Sequence, residues 1–136
     1  MIREHGVTDR LSEDVDLFTS NTSTVNFAGG VERVVDALHT AGYSIEFDEN
    51  RRWKQFVRLH VSTARGERVD IDMAMDWRQA DPVTLALGPV LSIDDAVHSK
   101  VNALYGRAAA RDFLDVEAIK DRFAAWAAQL RADLAE

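Results

Sequence analysis

The chain has 136 residues, 46% hydrophobic and 29% charged, with a formal net charge of −7 and no cysteine. This predicts one compact globular domain with a real core and excludes a disordered chain, disulfide frameworks, thiolate zinc sites and cysteine nucleophiles. The acidic balance excludes a generic DNA coat, no apolar run approaches the roughly 18 residues of a membrane span, and the polar first fifteen residues are no signal peptide, so the expected compartment is the cytoplasm, with no membrane partner.

Residues 1 to 9 show no clear period. In Arg10-Leu11-Ser12-Glu13-Asp14-Val15-Asp16-Leu17-Phe18-Thr19 an acidic cluster runs into an apolar, strand-like segment. A strand over 14 to 19 sends Val15 and Leu17 into the core and leaves Asp14, Asp16 and Phe18 on the opposite face. Carboxylates two residues apart on a strand stand roughly 6 to 7 Å apart at their α-carbons, so their oxygens can converge on one ion or bridge two. Hard oxygen donors on a rigid strand suit Mg²⁺ carrying substrate phosphates. The same pattern also serves as a solvated strand start.

A polar loop over 20 to 26 precedes Val31, Val34, Val35 and Leu38, whose spacing predicts a helix stopped by Gly42. Gly29-Gly30 reads as a loop leading into that helix, with a phosphate cradle as the alternative. Tyr43, Ile45 and Phe47 then alternate as a strand, Glu49-Asn50-Arg51 is expected to turn, and Trp53, Gln55, Val57, Leu59 and Val61 mark one face of a longer strand. A turn at Ala64-Arg65-Gly66 leads to Val69, Ile71, Met73 and Met75, with Arg68, Asp70 and Asp72 on the other face. Matching apolar to apolar across this hairpin requires an odd three-residue loop, which sets Arg58 opposite Asp72 and His60 opposite Asp70. Between Arg51 and Arg68 there are six basic residues against one acidic. That excess suits RNA phosphate or a nucleotide, and equally a solvated arginine-rich hairpin.

Pro82, Gly88 and Pro89 punctuate a loop or edge segment around Val83 to Leu87. Ser92 with Asp95 predicts a capping box, and Ile93, Val97, Val101 and Leu104 the apolar stripe of the helix it opens. Lys100 flanks this stripe, either snorkelling to solvent or aimed at a negative site. Gly106 and Ala108-Ala109-Ala110 allow a break. A last helix from about Arg111 carries Phe113, Val116, Phe123, Trp126 and Leu130 as apolar positions, with Asp112 and Asp115 in its first turn, where capping alone accounts for them. Trp53, Trp77 and Tyr105 read as core or rim packing before base stacking. His98 points away from Lys100 and has no role.

With these pieces placed, the chain resembles the AbiEii/AbiGii toxin family of nucleotidyltransferases, within the DNA polymerase β-like superfamily. The matching pieces are Arg10 to Phe18, Val69-Asp-Ile-Asp-Met73, Ser92 to Arg107, and Arg111-Asp-Phe-Leu-Asp-Val116, in family order. The resemblance implies an α+β fold: a small, mainly antiparallel or mixed sheet carrying the acidic cluster (10–76), flanked by helices, with C-terminal helices (92–136), in one domain over 1–136. It implies Mg²⁺ held by Asp14, Asp16 and Asp72, with Asp70 the alternative third acid and Ser12 beside them at the nucleotide. Lys100 would neutralise the triphosphate, and Asp112 with Arg107 or Arg111 would shape the pocket or the acceptor site. The activity implied is transfer of a nucleotide from an NTP to an RNA acceptor, with tRNA 3′ ends expected. Arg51, Arg52, Lys54 and Arg58 would face the RNA, and an antitoxin would be the protein partner. The family's Gly-Gly or Gly-Ser turn, about a dozen residues before the acids, would fall at or before Met1. The expectation is therefore a polypeptide that starts earlier, the alternatives being a catalytically impaired remnant used as a protein-interaction module, or an enzyme modifying a protein.

Overall fold

A computed structural model describes residues 5–6, 14–20 and 26–133, with the side chains at 126, 127 and 129–133 outside that description. Ser12, and the side chains of Trp126 and Leu130, therefore lie outside that description. The chain is mixed α+β and folds as two compact units, one over Ser12–Arg78 and one built on Gln79–Glu136.

The first unit contains β1 (Asp14–Ser20), α1 (Phe27–Thr40), β2 (Ser44–Trp53), β3 (Phe56–Ser62) and β4 (Arg68–Asp76). Its sheet has the order β1-β4-β3-β2, with β1 parallel to β4 and the other pairs antiparallel. The helical spacing of Val31, Val34, Val35 and Leu38 lays α1 against one sheet face, where Val31 joins Val57, Leu59, Val61, Ile71 and Met73 in the core. Gly42 ends α1 as expected. At φ 91° it takes the left-handed conformation, its amide donates to the His39 carbonyl, and the Tyr43 amide reaches the Leu38 carbonyl. Gly29 and Gly30 lie inside the first turn of α1, where the Gly30 amide donates to the Asn26 carbonyl, a helical bond.

The β3–β4 hairpin has the expected register. Thr63 and Glu67 close it around Ala64-Arg65-Gly66, Gly66 supplies the positive φ, and Arg58 stands opposite Asp72 and His60 opposite Asp70. The preceding reversal departs from expectation. Residues 49–51 do not turn; β2 runs on to Trp53, and the chain reverses at Lys54-Gln55. The Asp48 carboxylate accepts the Asn50 amide at 3.0 Å, a local turn that becomes a bulge in which residues 48–51 of β2 face Arg58 alone. Trp53 and Phe56 then pair across the turn with their rings stacked at 4.5 Å.

Val15 and Leu17 also differ from the reading of the sequence: they remain 43% and 38% exposed. Their strand is at the edge of the sheet, paired on one side to β4, while the buried core is drawn from α1, β3 and β4.

The second unit holds the hairpin β5 (Val83–Leu85) and β6 (Gly88–Val90), then α2 (Ile93–Gly106) and α3 (Ala110–Asp133). The His5 ring donates to the Leu91 carbonyl at 2.7 Å. Ser92 caps α2, accepting the Asp95 amide at 3.2 Å. The expected stripes are only half-buried, with Val97 packed against Ala96 and Ile119, and the deepest positions are others. On α2 the buried positions are Asp95 and Ala96, while Val101 is 46% exposed; on α3 they are Asp112, Asp115 and Ile119, while Phe113 is 56% exposed. The spacing i, i+3, i+7 is helical, but two of its three members are acids. Among the described residues no helix is long and apolar enough to cross a membrane.

Candidate active site

Two strand registers build the acidic face of the first unit. Parallel pairing sets Asp14 beside Asp70 and Asp16 beside Asp72; antiparallel pairing sets Arg58 beside Asp72 and His60 beside Asp70. Because side chains alternate, all six leave the sheet on the side away from the core. The opposite side of β3 and β4 carries Val57, Leu59, Val61, Ile71 and Met73, so apolar burial fixes the positions of the acids.

The bases on this face are closely held. Arg58 donates from Nε to Oδ1 and from Nη2 to Oδ2 of Asp72, both at 2.6 Å, and its Nη1 lies 4.0 Å from Asp70. The guanidinium pKa is raised, first by the hydrogen bond to Asp72, with the Asp70 and Asp14 charges adding to it. His60 Nδ1 donates to Asp70 at 2.8 Å, its Nε2 lies 3.8 Å from Asp48, and Arg68 reaches Asp70 at 3.4 Å. The Asp70 pKa is lowered, chiefly by the His60 hydrogen bond.

Ionised carboxylates on adjacent strands have the donor chemistry a hard divalent cation takes. Asp14 and Asp16 fit such an ion on this count. Asp72 gives both oxygens to Arg58, and among the described residues no three carboxylate or imidazole groups converge as an ion cage. A cleft of about 330 Å³ beside β1 and α1 is lined by Leu17, Phe18, Phe27, Gly30, Arg33 and Met73 among others; the acids do not line it.

The second unit places its sequence-derived residues in two ion pairs. Arg107 donates from Nε and Nη2 to Asp112 at 2.8 and 2.7 Å, and the Ala109 amide adds a third bond at 3.0 Å. The Asp112 carboxyl is lowered to about 2, chiefly by Arg107 and then by that amide, against the effect of burial. Lys100 Nζ stands 3.0 Å from Asp115 Oδ2, whose side chain is 1% exposed. Lys100 therefore meets a negative group of its own chain. Asp115 is thus more than a cap: with Asp112 and Ile119 it lies on the buried face of α3. Arg111 is exposed in the first turn of α3 and adds to the field on Asp112. Asp95, read as part of a cap, is buried and also accepts the amides of Gln79 and Ala80, fixing the chain ahead of β5.

At the β2–β3 tip Arg51, Arg52 and Lys54 are exposed. Arg52 pairs with Glu49 at 3.3 Å and lies over the Phe47 ring at 4.5 Å. Arg58, close to these cations in sequence, is paired with Asp72 on the acidic face.

No curated protein matches the chain. Among solved structures, JHP933 from Helicobacter pylori is similar, with a TM-score of 0.52 and 17% identity over 79% of this chain and 49% of that one. The chain thus spans about half the length of that protein, and the likeness is one of fold. A family model described as the nucleotidyl transferase AbiEii toxin of a type IV toxin–antitoxin system matches residues 2–136. Four ordered sequence motifs, a mixed sheet with paired acids on two adjacent strands, and a match over nearly the full chain converge: the protein belongs to the AbiEii nucleotidyl transferase toxin family.

Proposed function

We propose that the chain carries the catalytic face of a Mg²⁺-dependent nucleotidyltransferase that moves a nucleotide from an NTP to an RNA acceptor, with tRNA 3′ ends as the acceptor class. The observation that carries this reading is the parallel pairing of β1 with β4, which lines up Asp14 and Asp16 with Asp70 and Asp72 on the side of the sheet away from the core. In it, Asp14 and Asp16 hold the metal and Asp72 is the third acid. When bound, the metal supplies charge stabilisation at the phosphates and a more acidic acceptor hydroxyl. The protein's share is positioning and charge neutralisation. Lys100 serves the triphosphate, Arg107, Arg111 and Asp112 shape the nucleotide pocket, Ser12 flanks the acids, and Arg51, Arg52 and Lys54 meet RNA phosphates. An antitoxin is the expected protein partner, and the cytoplasm, where NTPs and tRNA coexist, the expected compartment.

The test is transfer of label from α-labelled NTPs to total RNA with Mg²⁺. The reading expects label on RNA from the wild type and none from Asp14→Asn or Asp16→Asn. Equal labelling by both variants would remove the acids from the reaction, and label on protein in place of RNA would shift the acceptor to a protein hydroxyl.

A further inference from the structure

We propose that Arg58 is an internal counter-cation that a divalent ion must displace from Asp72, so that the Arg58–Asp72 pair sets how tightly the acidic face takes its metal. The inference rests on the assignment of Asp14 and Asp16 as metal-holding residues and adds a residue that governs them.

The registers bring two competitors to one carboxylate. Asp72 is flanked by Asp16 across the parallel pairing and by Arg58 across the antiparallel one. On the Arg58 side the geometry is that of a planar fork: two donors, two acceptor oxygens, both distances 2.6 Å. A carboxylate engaged this way has both oxygens committed and its charge neutralised. Side-chain exposures of 19% for Arg58 and 16% for Asp72 keep the pair largely out of bulk water, where screening would weaken it.

The guanidinium also reaches further than one partner. Its third nitrogen lies 4.0 Å from Asp70, and the charge of Asp14 acts on it as well. One positive charge thus answers several acids of this face, the electrostatic position a metal would take. Arg68 provides a built-in comparison. It also touches the face, through Asp70 at 3.4 Å, but with a more exposed side chain and a single donor.

A purely structural ion pair and a metal competitor differ in what their loss does to metal binding. The experiment titrates Mn²⁺ alone into the full chain and reads free Mn²⁺ by electron paramagnetic resonance. The variants are Arg58→Gln, Arg58→Lys, Arg68→Gln, Asp16→Asn, Asp72→Asn and the Arg58→Gln/Asp72→Asn double variant. Losing charge-assisted bonds to Asp72 corresponds to a gain of about tenfold or more in Mn²⁺ affinity for Arg58→Gln. Arg58→Lys, which keeps the charge but cannot fork, gains part of that and stands in should the glutamine variant fail to fold. With Asp72→Asn already present, Arg58→Gln should change affinity no more than Arg68→Gln does alone.

Unchanged or weaker Mn²⁺ binding in Arg58→Gln and Arg58→Lys, with Asp16→Asn still abolishing it, overturns the role of Arg58 and leaves the metal assignment standing. An equal gain from Arg58→Gln with and without Asp72 also overturns it, since general charge removal would then suffice. Mn²⁺ binding indifferent to Asp16→Asn overturns both the role and the assignment beneath it.

Discussion

Arg107 grips Asp112 through two parallel hydrogen bonds, 2.8 and 2.7 Å, across the short break between α2 and α3. The Arg107 side chain is half exposed, whereas the Asp112 carboxylate is fully buried, so the acid depends on this partner and on the Ala109 amide for its charge. Removing an acceptor that serves three donors costs about 2 to 3 kcal/mol. Asp112→Ala should therefore lower the urea midpoint without changing the slope of the transition.

The same pair predicts an acid limb. The folded-state pKa of Asp112, about 2, lies below its unfolded value. Its contribution is complete above the unfolded pKa of about 4 and is lost as pH falls through the folded value. The stability gap between wild type and Asp112→Asn should be full at neutral pH and shrink between pH 4 and pH 2. Urea titrations at several pH values measure it, and a gap constant down to pH 2 would mean the carboxylate is not held in this way.

Lys100 and Asp115 should separate stability from activity. Replacing Lys100 alone by Met leaves the buried Asp115 without its ammonium partner, at a cost of about 3 kcal/mol. Replacing both by apolar residues of similar size should recover most of that loss, because the buried carboxylate is then removed together with its ammonium partner. Nucleotide transfer should stay lost in the double variant. Thermal melts and the labelling assay report the two quantities separately, and recovered transfer would confine Lys100 to a structural role.

The cations at the β2–β3 tip predict a salt-dependent acceptor contact. Arg51→Glu with Lys54→Glu should weaken single-stranded RNA binding and flatten its salt dependence, by about 0.7 in log–log slope per lost phosphate contact. Fluorescence anisotropy across a salt series reads both, and an unchanged slope would place the RNA elsewhere.

The sequence was most informative where a physical rule closes on itself. Alternating apolar residues and an odd loop allow one register for β3 and β4, and the Arg58–Asp72 and His60–Asp70 pairs follow. The parallel pairing of β1 with β4 has no comparable local signal, since α1 and a whole hairpin separate the two strands. Turn chemistry misled at Glu49-Asn50-Arg51: the side-chain bond from Asp48 that favours a turn was satisfied inside a bulge, and the reversal fell at Lys54-Gln55. On α3 the apolar pattern pointed to Phe113, whereas the buried stripe is Asp112, Asp115 and Ile119. Hydrophobic periodicity misses carboxylates buried against Lys100 and Arg107, because pairing removes the penalty that normally keeps acids outside.

The most direct test of the acidic face is calorimetric titration of an NTP into the full chain with and without Mg²⁺, for the wild type and for Asp14→Ala and Asp16→Ala. The account predicts binding that requires the metal and falls at least about tenfold in either variant, the scale of one charge-assisted interaction. Metal-dependent binding that is unchanged in both variants would contradict it.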